Sequence, residues 1–211
     1  MKSHYEILQA LIESKVVAIV RLDSGDKLIH VASALKAGGI SAIEFTVPTP
    51  NALEMIKQAS EHFGDEVIMG AGTVLDPETA RAAIQAGAQF IVTPTLNPAT
   101  IELCKRYGKP IISGALTPTE IMNSWQAGAD IVKVFPASLG GPAYIKSVLA
   151  PLPQVRLAPT GGVNADNAAD YIRAGAAALG VGGNLVNKAA VASGDWDAII
   201  AEAERLVAAV E

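Results

Sequence analysis

The chain has 211 residues, enough for one large α/β domain and short of a comfortable two. Hydrophobic residues make up 50% and charged residues 18%, more apolar than a soluble monomer requires, which predicts surface buried between subunits. A net charge of −5, with the basic residues scattered, argues against nucleic acid or an anionic membrane as partner and leaves any anionic ligand to local donors.

Ser3 followed by Glu6 reads as a capping box opening a helix within residues 1–14, with Ile7, Leu8, Leu11 and Ile12 as its apolar stripe. The segment Met1–Glu6 lacks the apolar core of a signal peptide, and no apolar run approaches the ~18 residues of a membrane span. The expected location is the cytoplasm. Val16–Val20 then reads as a buried strand.

From there one pattern recurs: a helical segment, a glycine, then a short apolar strand. The marking glycines are Gly38, Gly64, Gly87, Gly108, Gly128 and Gly175. They are spaced about 20–26 residues apart, except for a last interval of about twice that, which takes Val155–Ala158 as a seventh strand. Glycine at these points accommodates the left-handed backbone that ends a helix. Eight strands, each followed by a helix, make right-handed βαβ units and a parallel sheet. Because the strands are apolar on both faces, the sheet is expected to close into an α/β fold of the (β/α)₈ type, a TIM barrel with an extra N-terminal helix. An open doubly wound sheet is the rival, but the first strand–helix turn, Arg21–Asp26, carries no G-x-G-x-x-G. No linker interrupts the pattern, so residues 1–211 read as a single domain.

Such a barrel builds its site at the C-terminal ends of its strands. In Ile131–Pro136 a single lysine, Lys133, sits in an apolar strand, where lost hydration is costly. Alternation puts Ile131, Lys133 and Phe135 on one face and Val132 and Val134 on the other. Facing inward, a desolvated lysine holds more neutral amine, the form that attacks carbonyls. Facing the helices, or paired with a carboxylate, it is a packing feature, and the strand alone does not choose. Glu44, within Ala42–Thr46, is the second ionisable residue of this kind. It reads either as a general base and acid or as the ion-pair partner of Lys133.

Gly161–Gly162 and Gly182–Gly183 follow strands seven and eight, where barrels often hold phosphate on backbone N–H groups. Gly70–Thr73 could cradle a smaller anion, with the Thr73 hydroxyl assisting. Arg21, ending strand one, offers a fork for carboxylate or phosphate, or a surface salt bridge. The histidines, His4, His30 and His62, all fall on predicted helices, while Asp130 and Asp166 begin a strand and a helix. Little is left from which to build a divalent-metal site, and no cofactor is expected. The single cysteine, Cys104, lies on the apolar face of a predicted helix and reads as a small buried hydrophobe.

Taken in order, Ile43–Thr46 (IEFT), Gly70–Val74 (GAGTV), Ile91–Pro94 (IVTP), Val132–Pro136 (VKVFP), Pro159–Val163 (PTGGV) and Gly180–Gly183 (GVGG) resemble the 2-keto-3-deoxy-6-phosphogluconate (KDPG) aldolase family. That family also includes 4-hydroxy-2-oxoglutarate (KHG) and 2-dehydro-3-deoxy-6-phosphogalactonate aldolases. The likeness covers nearly the whole chain. It implies a barrel, a homotrimer and a metal-free class I reaction that cleaves a keto acid to pyruvate and an aldehyde such as glyceraldehyde 3-phosphate. By position, Lys133 resembles the Schiff-base lysine and Glu44 the general acid/base. Thr73 and the Gly72 backbone resemble the pyruvate carboxylate site, Pro94 and Phe135 its walls, and Thr160 a contact to a substrate hydroxyl. Gly161, Gly162, Gly182 and Gly183 resemble the phosphate site. Two departures stand out. Several members carry an arginine soon after the strand-two glutamate, where this chain has Thr46–Thr49, and Arg21 could fill that role. Many members have serine where this chain has Gly183. Two other readings are a phosphosugar isomerase or epimerase, with Glu44 as base and Lys133 as electrostatic stabiliser, and a non-catalytic trimeric subunit.

Overall fold

The computed structural model describes residues 2–211. Among these residues, eight parallel strands alternate with helices: β1 (Val16–Val20), β2 (Ala42–Thr46), β3 (Ile68–Gly72), β4 (Phe90–Val92), β5 (Ile111–Ala115), β6 (Ile131–Val134), β7 (Leu157–Pro159) and β8 (Leu179–Val181). The helices are α1 (His4–Glu13), α2 (Leu28–Ala37), α3 (Ala52–Phe63), α4 (Pro77–Gln85), α5 (Pro98–Arg106), α6 (Pro118–Gln126), α7 (Gly141–Leu149), α8 (Ala168–Arg173), α9 (Lys188–Ser193) and α10 (Trp196–Val210). Strands run in sequence order from β1 to β7, and β8 pairs with β1. A Thr160–Gly180 bridge at the end of β7 closes the ring, which is the expected (β/α)₈ barrel.

Each strand divides its side chains between two cores, as alternation requires. Val16, Ile43, Met69, Val132 and Leu179 face the helices in the outer core. Val17, Ala42, Ile68, Phe90, Ile131 and Ala178 fill the barrel, and Ile7 and Leu11 of α1 pack with them as a plug. The capping box is present: Glu6 N–H donates to Ser3 Oγ at 3.3 Å, and Ser3 N–H donates to Glu6 Oε2 at 2.7 Å. His4 Nε2 meets Asp130 Oδ1 at 2.8 Å, while Asp130 Oδ2 accepts the Ile111 N–H at 2.9 Å. One carboxylate thus ties the plug to the start of β5. Cys104 is fully buried, its thiol pushed up to about 12 by burial first and then by the Asp130 charge, consistent with an inert packing role.

Three sequence expectations need correction. Gly38 is not the left-handed residue ending α2: its φ is −80°, and Gly39, at φ 89°, takes that role. Gly38 serves close packing instead, because an added Cβ would lie 2.4 Å from Ala203 Cβ on α10. The seventh strand begins at Leu157 rather than Val155, whose N–H is used in a turn by Leu152 O at 3.1 Å. Finally, two helices follow β8. Gly194, at φ 75°, ends α9, and Asp195 caps α10 by accepting the Ala198 N–H at 3.1 Å.

Candidate active site

Lys133 is the inward residue of β6. Val132 and Val134 lie in the outer core and Ile131 in the barrel core, so alternation aims Lys133 into the barrel near its C-terminal end. It pairs in register with Gly114 on β5 and Ala158 on β7. The residue is only 7% exposed, and Nζ lies 5.2 Å from the centre of the Phe135 ring, within cation–π range. Phe135 itself sits just past the strand, partly open to solvent.

Glu44 is the inward residue of β2, with Ile43 and Phe45 in the outer core on either side. It is buried, and its Oε1 has no hydrogen-bond partner. Burial holds the carboxyl above its ordinary value, and the fields of Lys133 and then Arg21 pull it part of the way back. No hydrogen bond joins Glu44 to Lys133. The two sense each other through space only, which is not the saturated ion pair of a packing motif. A buried carboxylate oxygen without a donor is costly, which sets Glu44 apart from a satisfied structural carboxylate.

The seat of that carboxylate is Gly72. A Cβ added there would lie 1.6 Å from Glu44 Oε1 and 2.1 Å from its Cδ, so only glycine lets the carboxylate rest on β3. Gly72→Ala should therefore displace Glu44 by about an ångström or more and lower kcat by about 10²-fold. Overpacking should also cost about 1–3 kcal/mol of stability. Steady-state kinetics beside a denaturant melt would check both. Next in the chain, Thr73 has φ 55°, a strained value for a β-branched residue of the kind that clusters at ligand sites.

Gly114 gives similar room to the loop after β4. Its Cβ would lie 2.1 Å from the Pro94 carbonyl carbon, so Pro94 crosses β5 at the position paired with Lys133. Thr93 Oγ1 accepts the Gly114 N–H at 3.2 Å and donates to Thr95 O at 2.7 Å, fixing the crossing.

Across the mouth lies a cavity of about 530 Å³ bordered by Arg21, Phe135, Thr160 and the Gly161–Gly162 and Gly182–Gly183 loops. Gly161 and Gly162 hold φ values of 92° and 82°. Two asparagines anchor this loop: Asn167 Nδ2 donates to Gly162 O at 2.9 Å and Asn184 Nδ2 to Val163 O at 3.1 Å. Arg21 is exposed and has no carboxylate partner among the described residues. The arrangement is a buried amine and carboxylate beside a cavity of glycine loops and cations.

A family model for KDPG and KHG aldolase matches residues 7–202. The chain belongs to the KDPG and KHG aldolase family. It is 38% identical over 196 residues to the 2-dehydro-3-deoxy-phosphogluconate aldolase of Pseudomonas aeruginosa, covering 92% of this chain and 86% of that one. It is 37% identical to the 2-dehydro-3-deoxy-6-phosphogalactonate aldolase of Escherichia coli, covering 81% and 83% respectively. Among solved structures, it superposes with a TM-score of 0.88 and 28% identity on the Legionella pneumophila KDPG aldolase with pyruvate captured as a covalent carbinolamine intermediate, covering 97% of this chain and 98% of that one.

Every KDPG/KHG-type residue singled out in the sequence lies at this mouth. Glu44, Gly72, Thr73, Pro94 and Lys133 lie at one side, Arg21, Thr160 and the two glycine pairs at the other, and Phe135, beside Lys133 Nζ and on the cavity wall, joins the two. Sequence reasoning gave no role to Asn167, Asn184 or Lys188, which anchor or border the cavity. Lys188 had a signal: it is the first cation after the strand-eight glycines. The asparagines had none, because a side chain that serves a backbone carbonyl looks like any loop residue.

Proposed function

We propose that this chain is a class I aldolase that reversibly cleaves 2-keto-3-deoxy-6-phosphogluconate to pyruvate and glyceraldehyde 3-phosphate, with 4-hydroxy-2-oxoglutarate as a further substrate. The observation that carries the reading is the inward Lys133 sharing the barrel with an unpaired, buried Glu44.

In this mechanism Lys133 gives up its proton to Glu44, the neutral amine attacks the C2 ketone of the substrate, and Glu44 returns that proton to the carbinolamine hydroxyl, so that water leaves and a protonated imine remains. Thr73 and the Gly72 backbone hold the substrate carboxylate, while Pro94 and Phe135 wall the pyruvate half. Thr160 meets a hydroxyl of the chain. Glu44 takes the C4 hydroxyl proton through a water as the C3–C4 bond breaks. The bond's electrons flow into the imine to give an enamine, and the aldehyde leaves. Glu44 then returns the proton to C3 of the enamine, and hydrolysis releases pyruvate and the free lysine. The phosphate of the aldehyde half sits against Gly161, Gly162, Gly182 and Gly183, with Arg21 at the edge.

The experiment is a cleavage assay across phosphogluconate-, phosphogalactonate- and hydroxyglutarate-type keto acids. Release of pyruvate, fastest with the gluconate type, supports the reading. Faster turnover of the phosphogalactonate type would reassign it to the activity named for the E. coli relative. Stereochemical change without carbon–carbon cleavage would replace it with an isomerase. The homotrimer and the cytoplasmic location belong to the same proposal. Leu75 and Leu139, 60% and 72% exposed, are apolar surface that a subunit contact would cover, and light scattering that returns a monomer would remove the trimer.

A further inference from the structure

The cavity against the glycine loops shares a wall with a second, smaller one. The smaller, about 180 Å³, lies between the loop after β1 and helix α9, bordered by Asp23, Ser24, Lys27 and Val191. Arg21, Val186 and Lys188 border both cavities. The two lysines that border the smaller cavity are not used alike. Lys27 Nζ donates to Val191 O at 2.9 Å and Ala192 O at 2.7 Å, so it is spent on tying the loop to α9. Lys188 Nζ donates only to Asp23, at 3.0 Å and 3.4 Å, and the two side chains are 71% and 85% exposed. A pair this exposed is weak and easily exchanged. A phosphate offers more negative charge and more acceptor oxygens than the Asp23 carboxylate, so it is the better partner for the same ammonium. The larger cavity is bordered by the two glycine pairs, by Thr160 and by the cations Arg21 and Lys188.

We propose that Lys188 is a specificity-determining residue that exchanges Asp23 for the terminal phosphate of the substrate's aldehyde half, with Asp23 as the competing anion that tempers the preference. The inference rests on the aldolase reading of the site. It makes opposite demands on the two partners of one ion pair, which a pair that merely held the loop would not.

The test is the ratio of kcat/KM for 2-keto-3-deoxy-6-phosphogluconate to that for its unphosphorylated counterpart, measured on the full chain at low ionic strength. Lys188→Gln should lower this ratio about tenfold, the size of one charge-assisted contact, mainly through KM. Asp23→Asn should raise it about threefold, because Lys188 is then free for phosphate. Added salt should shrink the wild-type preference and leave the Lys188→Gln ratio less affected. A Lys188→Gln ratio within twofold of wild type, or a ratio that falls in Asp23→Asn as well, overturns the assignment while leaving the aldolase reading intact. A wild-type chain that cleaves neither keto acid overturns the aldolase reading and this inference together.

Discussion

Lys133→Arg should abolish turnover, with kcat falling by roughly 10⁴-fold or more, because the guanidinium does not deprotonate and cannot form the imine. Arginine is the informative replacement. It keeps a cation beside Glu44, and that cation is the larger of the two fields offsetting the carboxyl's burial. A loss in Lys133→Arg therefore reports on nucleophilicity rather than on Glu44's ionisation, whereas Lys133→Met would change both. The complementary measurement is on the wild-type chain. Borohydride added with pyruvate should leave one reduced adduct, located on Lys133 by peptide mass, and no adduct in Lys133→Arg. The side chain's burial bears on this result, since a Lys133 that is only 7% exposed leaves little bulk water at the imine. Failure to trap pyruvate on Lys133 would end the Schiff-base reading, whatever the outcome of the variant.

How far the sequence could reach is clearest at these two strands. Lys133 and Glu44 were legible because each is an ionisable residue in an apolar strand, and period-two alternation places each on a definite face. The eightfold repeat was legible because glycines recur near the helix ends at a similar spacing, and barrel closure because the strands are apolar on both faces. What alternation cannot supply is the relation between strands. Nothing in the sequence distinguishes Gly72 as the seat of Glu44 from a glycine that simply turns the chain, because the contact joins β2 to β3 side by side. The expected meeting of Lys133 and Glu44 likewise resolves into through-space influence rather than a direct bond, a matter of side-chain reach that strand position leaves open. Gly38 shows the same limit: its neighbour is Ala203 on α10, far along the chain. For Lys188 the sequence offered only its place as the first cation after the strand-eight glycines, because bordering two cavities is a property of loops in space.

Glu44→Gln should separate catalysis from stability, lowering kcat by about 10²–10⁴-fold while making the fold more stable at neutral pH. Glutamine is nearly isosteric but neither accepts nor returns a proton, so both proton transfers lose their agent. Stability moves the other way because burial raises the Glu44 carboxyl above its ordinary value of 4.5 in the folded chain. Between 4.5 and that raised value, the folded state binds more protons than the unfolded state, so this residue makes stability fall as pH rises through the window. Above the window the full cost of a buried carboxylate is present. The glutamine of the variant would carry only the smaller cost of a buried amide, so the gap in Tm between variant and wild type should widen from pH 4.5 upward and then level off. Activity follows the same ionisation in the opposite sense. The acid limb of the wild-type kcat/KM profile should lie above 4.5, and the residual activity of Glu44→Gln should lack that limb. Thermal melts across this range, read beside the rate profile, decide the matter. A variant less stable than wild type at pH 7 would mean that Glu44 is satisfied in the native chain, and a wild-type acid limb at or below 4.5 would mean that its burial does not govern the proton transfer.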